Sequence, residues 1–252
     1  EKNAGLTASL NEGLALAKGV YIARQDADDI SRRNRLAQQK NFLDAHTDIF
    51  LVATDIDYRT EKDVAITNPV QRKETPEDIT QKLRIKNCLA HPTIMFRNDG
   101  SRYREKFLYA QDYDFYLRAL TDGKKLALLP EKLLEYRLGT TALSYKKRNI
   151  QRVFAGHART FYEQRLQGKD DAYATLEPQD IALLPADPNA EEHLYIDLVT
   201  LYLQCNRPEL ARNVLQKHHL KKRSHRIFLG IMTRFPAMYR WYRRIHYADY
   251  GT

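Results

Sequence analysis

The chain has 252 residues, 43% of them hydrophobic and 29% charged, with 41 Lys and Arg against 32 Asp and Glu. That composition supports a real core and excludes a disordered chain, and no apolar run approaches the ~18 residues of a membrane span. Two distant cysteines, Cys88 and Cys205, make neither a disulfide framework nor a metal-ligand pair, so a reducing compartment is the default. The charged opening Glu1-Lys2-Asn3 is unlike a secretory leader, and the missing initiator Met reads as the edge of a fragment or trimmed chain.

In chain order, residues 6–18 form an amphipathic helix, with Leu6, Leu10, Leu14 and Ala17 on one face and Gly19 as a stop. Val20-Tyr21-Ile22-Ala23 is a short β-prone run that leads into Asp26-Ala27-Asp28-Asp29, a loop at the strand's carboxyl end. Ser31 is placed to cap a helix over 33–45 carrying Leu36, Phe42 and Leu43. Ile49 to Thr54 is a second strand, and 55–74 is polar and mixed. Thr75-Pro76-Glu77-Asp78 is a helix start, with a capping Thr, Pro at the first position and acids in the first turn. Pro92 to Phe96 reads as a third strand, 98–106 as a basic loop and Asp112 to Leu120 as a helix. Leu126–Leu129 and Leu133–Tyr136 read as two short strands.

After about residue 145 helical patterns take over. The spacing predicts a helix over 146–167 and a helical hairpin from 191–204 and 208–217, hinged at Asn206-Arg207-Pro208. The organisation expected is an α/β domain over 1–145 and a helical region over 146–252, the latter ending in a basic amphipathic tail. The alternation of helix and strand over 1–137 argues for a mostly parallel sheet flanked by helices. Ligands of such sheets bind beyond the carboxyl ends of the strands, where the acidic cluster falls.

Asp26 and Asp28, one residue apart on a turn, can face the same way. Mg²⁺ typically takes one or two carboxylates and completes its shell with water and substrate phosphates. A metal–diphosphate site is one reading; acids that merely favour loops and helix caps are the other. Asp112 at a helix start suits a carboxylate stabilised by the helix dipole, either as a general base or as a cap. His91 before Pro92 could reach a substrate or be a buried, hydrogen-bonded histidine. Arg118 reads as a structural ion-pair partner.

The stretch from Asn3 to Arg35 (NAGLTASLNEGLALAKGVYIARQDADDISRRNR) resembles the inverting family 2 glycosyltransferases, in which an Asn-x-Gly turn and a helix precede a strand ending in a D-x-D-type motif. The resemblance continues at His91-Pro92-Thr93-Ile94-Met95-Phe96-Arg97, at Ala110 through Arg118, and from Leu129-Pro130-Glu131 to Tyr136-Arg137. It implies a GT-A-like fold and transfer from a nucleotide-diphosphate sugar to an acceptor hydroxyl, with inversion. It assigns Asp28 to the metal, Asp26 to the metal or donor ribose, and Asp29 and His91 to donor binding. Asp112 matches the catalytic base. The cofactor implied is Mn²⁺ or Mg²⁺, and the acceptor a glycan or lipid-linked group in cell-surface polysaccharide or glycolipid synthesis.

The chain departs from the family pattern in three places. Family members begin with a strand–helix–strand unit that contacts the nucleotide base, and a unit of ~30 residues does not fit before Asn3. The chain is therefore expected to lack that edge of the sheet, and an inactive binding or scaffold module is the alternative function. Gln111-Asp112 replaces the usual Glu-Asp, keeping the proposed base. Leu138-Gly139-Thr140 stands where many relatives carry a metal-binding His. The Q-x-x-R-W motif of processive synthases is absent, which favours single transfer.

The net charge of +9 is concentrated at one end. Residues 211–246 hold ten basic residues (Arg212, Lys217, Lys221, Lys222, Arg223, Arg226, Arg234, Arg240, Arg243 and Arg244) and no Asp or Glu. Between them stand Leu220, Ile227, Phe228, Leu229, Ile231, Met232, Phe235, Met238, Tyr239, Trp241, Tyr242 and Ile245. An amphipathic, basic, aromatic segment suits an anionic membrane surface, or it packs on its own domain with its charges solvated. No nucleic-acid motif accompanies the charge, so no nucleic-acid partner is expected. The expected location is cytoplasmic, peripheral on the inner face of a bacterial plasma membrane.

Overall fold

A computed structural model describes residues 4–139, 146–218, 220, 223–235 and 237–239. The elements are α1 (Leu6–Leu16), β1 (Tyr21–Ala23), β2 (Ile30–Ser31), α2 (Arg35–Ala45), β3 (Ile49–Arg59), β4 (Ala65–Ile66), α3 (Pro76–Ile85), β5 (Met95–Arg97), α4 (Gln111–Thr121) and β6 (Lys125–Arg137). After these come α5 (Arg148–Leu166), α6 (Pro178–Ala182), α7 (Ala190–Gln204), α8 (Pro208–Lys217) and α9 (Arg223–Arg234).

The sheet runs in the order β1-β5-β3-β6-β2, with β4 beside β3. The α/β architecture expected from the alternation is present, but its strand directions correct the expectation of a mostly parallel sheet. β5 is antiparallel to both β1 and β3, with Ile22 opposite Phe96 and Leu51 opposite Phe96. β2 is antiparallel to β6, and β4 to β3. The crossover through α2 does leave β1 and β3 pointing the same way, as helix-linked strands should. The strand that separates them, β5, is only three residues long and enters in reverse, which alternation alone does not reveal.

Several boundaries also differ from the sequence reading. His91–Thr93 form a 3-10 turn, so the strand expected from Pro92 begins at Met95. The two short strands expected after 125 are one 13-residue strand that passes through Pro130. Ser31 lies in β2, and the residue before α2 is Asn34, without a side-chain cap. The capping box at Thr75 is formed as expected, with Thr75 accepting from the Asp78 N–H at 3.1 Å and Asp78 accepting from the Thr75 N–H at 2.9 Å.

The chain falls into two compact units that do not follow a single cut near 145. The first comprises residues 1–56, 73–135 and 149–185, and the second 57–72, 136–148 and 186–252. The helix α5 belongs to the first unit for a packing reason. Its Ile150, Phe154, Ala158 and Phe161 are buried in one core with Leu51, Leu83, Phe107, Tyr116 and Leu126. The second unit has its own core, in which α7 and α8 meet through Leu194, Leu198, Tyr202 and Ala211. Asn206 joins these two helices with φ 55°, a left-handed position that Asn tolerates better than most residues.

Within this second core Leu220, Leu229, Met232 and Tyr239 are buried. So packing explains these four residues of the tail's expected amphipathic pattern. Trp241, Tyr242 and Ile245 lie outside the described residues. Among the described residues no helix is long and apolar enough to cross a membrane.

Candidate active site

The acidic cluster forms a tight turn just past β1. The Asp29 N–H faces the Asp26 carbonyl at 3.4 Å, and the Gln25 amide donates to the Asp29 carbonyl at 3.2 Å. The three carboxylates occupy different environments. Asp28 is exposed, Asp26 is half-buried and Asp29 is only 6% exposed.

Arg24 grips Asp26 through both guanidinium nitrogens, one at 2.7 Å and the other closer. The pair is asymmetric in its surroundings, since the Arg24 side chain is 9% exposed and that of Asp26 38%. Arg24 is itself pinned by its backbone. Its N–H donates to the Ile94 carbonyl at 3.0 Å, and its carbonyl accepts from Arg35 at 2.6 Å.

Arg35 is the support beneath the turn. It is 1% exposed, donates to Gln39 at 3.0 Å and to Ser31 at 2.8 Å, and reaches Gln25 at 3.4 Å. Burial, with Arg24 nearby, holds its pKa down to about 10, while the Asp29 carboxylate opposes the shift. Gln39, fully buried, donates to the carbonyls of Val52 at 3.0 Å and Thr93 at 2.7 Å. The inner face of α2 is thus Arg35, Gln39 and Leu43 rather than the expected Leu36, which is 55% exposed. Buried polar groups of this kind are tolerated because each finds hydrogen-bond partners.

Asp112 stands in the first turn of α4, whose N-cap is Ala110 in the left-handed region at φ 54°. Asn87 donates to its Oδ2 at 2.7 Å. Its carboxylate also takes main-chain N–H groups of Asp112 and Tyr113, so it serves the helix terminus and remains partly accessible. The dense protein around it raises its pKa above the ordinary carboxylate value. The main-chain N–H groups, Asn87 and the charge of Arg24 act in the opposite direction.

His91 is 9% exposed, and its Nε2 lies 2.9 Å from the Tyr103 hydroxyl. Burial, and next the Arg24 charge, push its pKa down to about 3, so the ring is neutral. Tyr103 is held on both sides of its peptide by the Asn11 amide, each bond 2.9 Å long. Burial and the nearby Asp112 charge raise the Tyr103 hydroxyl's pKa.

The structure therefore brings Asp26 and Asp112 to one basic centre, Arg24. Asp29 and His91, the other two residues expected at the donor, are 6% and 9% exposed. Both are buried against protein, Asp29 beside Arg35 and His91 against Tyr103. Arg118 makes the structural ion pair expected of it, to Asp114 at 3.0 Å. The sequence reading missed Arg24, Arg35, Asn87 and Tyr103. Arg24 and Arg35 bracket the acidic cluster and were visible as cations there; nothing in the sequence connects Asn87 or Tyr103 to it.

Among the described residues no three His, Cys, Asp or Glu side chains gather as a metal cage. A hard cation that keeps waters and phosphate oxygens needs only one or two protein carboxylates. The exposed Asp28 fits such a donor set; Asp26 fits it less well while Arg24 occupies both of its oxygens.

The model of the glycosyl transferase family 2 family matches residues 1–108, from α1 through the acidic turn, His91 and Tyr103. Residues 1–108 belong to glycosyl transferase family 2. Among curated relatives of this family 2 region, an uncharacterized glycosyltransferase of Methanocaldococcus jannaschii is 30% identical over 141 residues, 55% of this chain and 49% of the relative. The amylovoran biosynthesis glycosyltransferase AmsE of Erwinia amylovora is 30% identical, covering 58% of this chain and 56% of that one. The O-antigen biosynthesis glycosyltransferase WbnJ of Escherichia coli is 32% identical, covering 53% of each. The chain spans about half the length of the curated relatives it matches.

Proposed function

We propose that this chain carries the transfer site of an inverting glycosyltransferase that uses a nucleotide-diphosphate sugar and serves cell-surface polysaccharide synthesis. The observation that carries the reading is the environment of Asp112: a partly accessible carboxylate with a raised pKa, oriented by Asn87 and a helix N-terminus. A general base works best when its pKa lies nearer the working pH and its position is fixed. The family match and the biosynthetic roles named for AmsE and WbnJ support the same reaction class.

In this mechanism Asp112 takes the proton of an acceptor hydroxyl as that oxygen forms its bond to the anomeric carbon. The bond from that carbon to the diphosphate breaks on the opposite side, so the configuration inverts. Asp28 would hold Mn²⁺ or Mg²⁺, with Asp26 contributing once released from Arg24. When bound, that ion neutralises the charge developing on the leaving diphosphate. Arg24 places a second positive charge beside the acidic turn, and Arg35 with Gln39 keeps the turn from moving. The acceptor is a glycan or a lipid-linked group.

Replacing Asp112 by Asn tests the assignment. Sugar transfer should fall by about a hundredfold or more, as expected for loss of a general base, with the circular dichroism spectrum unchanged. Undiminished turnover would remove Asp112 from the mechanism.

A further inference from the structure

The helix α9 and the residues after it present two faces. Leu229 and Met232 are buried at 3% and 6% exposure, and Thr233 at 4%. Ile227, Ile231, Phe235 and Met238 are 52%, 43%, 53% and 45% exposed. Ile227 and Ile231 lie one turn apart on α9, Phe235 follows the helix's last residue, and Met238 lies beyond Pro236 in the chain. A lone exposed Ile or Phe is ordinary surface; four large exposed apolar side chains within one short segment mark an interaction site. The second unit's core does not use them.

The charge of the surrounding sequence selects the occupant. Residues 211–246 carry ten Lys and Arg and no Asp or Glu, whereas the rest of the chain is close to neutral. A second copy of the chain would bring the same ten positive charges against this face and repel it. A nucleic acid would be attracted by the charge and could stack a base on Phe235, but it would leave Ile227, Ile231 and Met238 without an apolar partner. A membrane surface rich in anionic lipids satisfies both features, apolar side chains entering the acyl boundary and cations meeting phosphate headgroups.

We propose that α9 and the residues just after it dock the chain on an anionic bilayer, with Ile227, Ile231, Phe235 and Met238 as the inserted side chains. The inference stands on this segment alone and holds whether or not Asp112 is the base.

Co-sedimentation of the full 252-residue chain with phosphatidylglycerol-containing vesicles tests it. Binding should appear at low ionic strength, weaken at least tenfold on replacing phosphatidylglycerol by phosphatidylcholine, and weaken again with added salt. The double variant Ile231→Asp, Phe235→Asp should lose at least tenfold in bound fraction while keeping the wild-type melting temperature, since both positions are exposed. Three outcomes would overturn the proposal: no sedimentation of the wild type at low salt, binding unaffected by the double variant, or self-association through these side chains in place of vesicle binding. A single-stranded oligonucleotide that retains the chain more tightly than the vesicles would also overturn it.

Discussion

Asn87 donates a 2.7 Å hydrogen bond to Asp112 Oδ2, tying the segment after α3 to the first turn of α4. The bond stabilises the ionised carboxylate and opposes the upward shift that burial imposes. If Asp112 is the base, transfer falls as the pH drops through its pKa. Replacing Asn87 by Ala should therefore move the acidic limb of the kcat/KM profile to higher pH. An unmoved limb in an otherwise active variant would separate Asn87 from the base.

His91 makes an opposite kind of pH claim, on stability. Its folded pKa of about 3 lies below the ordinary 6.5, so between the two the unfolded chain binds more protons. The stability linked to this ring is full above pH 6.5 and is lost progressively as the pH falls toward 3. Between pH 7 and pH 5 the loss should be roughly 2 kcal/mol. In urea titrations His91→Gln should lose that much less than the wild type over the same interval. Parallel losses would show that His91 is not held neutral.

Asp114, two residues beyond Asp112, has a different task. It is fully buried and pairs with Arg104 and with Arg118, and Arg104 reaches on to Asp171 at 2.7 Å. Removing one partner of such a network leaves buried cations uncompensated, at a cost of about 3–5 kcal/mol. Asp114→Ala should lower the unfolding free energy by that amount, while Asp112→Asn leaves it nearly unchanged. Equal destabilisation by the two would undo the division of labour between neighbouring acids.

Asp28 is the exposed member of the acidic turn, so Asp28→Ala should change stability by no more than about 0.5 kcal/mol. The same variant should lose Mn²⁺-dependent hydrolysis of the nucleotide sugar. A Mn²⁺ titration that matches the wild type would take the metal away from Asp28.

The elements of this chain were largely legible in its sequence, because caps and periodicity are local. Thr75-Pro76-Glu77-Asp78 specifies its own helix start, and the placement of Asp112 at the head of α4 follows from the pattern after it. The acidic turn past β1 was legible for the same reason. What tertiary structure alone decided is which polar groups are buried and against what. A periodicity argument assigns Leu36 to the inside of α2, yet Arg35 and Gln39 go inside. The carbonyls of Arg24, Val52 and Thr93 lie there and need donors. The same holds for His91, kept neutral by burial and by the Arg24 charge, with its ring nitrogen against a Tyr103 that Asn11 holds from 92 residues away. The direction of β5 and the allegiance of α5 also belong to the fold, since both are set by contacts between segments far apart in the chain. Sequence by itself determined where carboxylates and cations could act; burial, through the energetic cost of leaving a polar group unpartnered, decided that Asp28 is exposed and Asp112 partly so while Asp29 and His91 are buried.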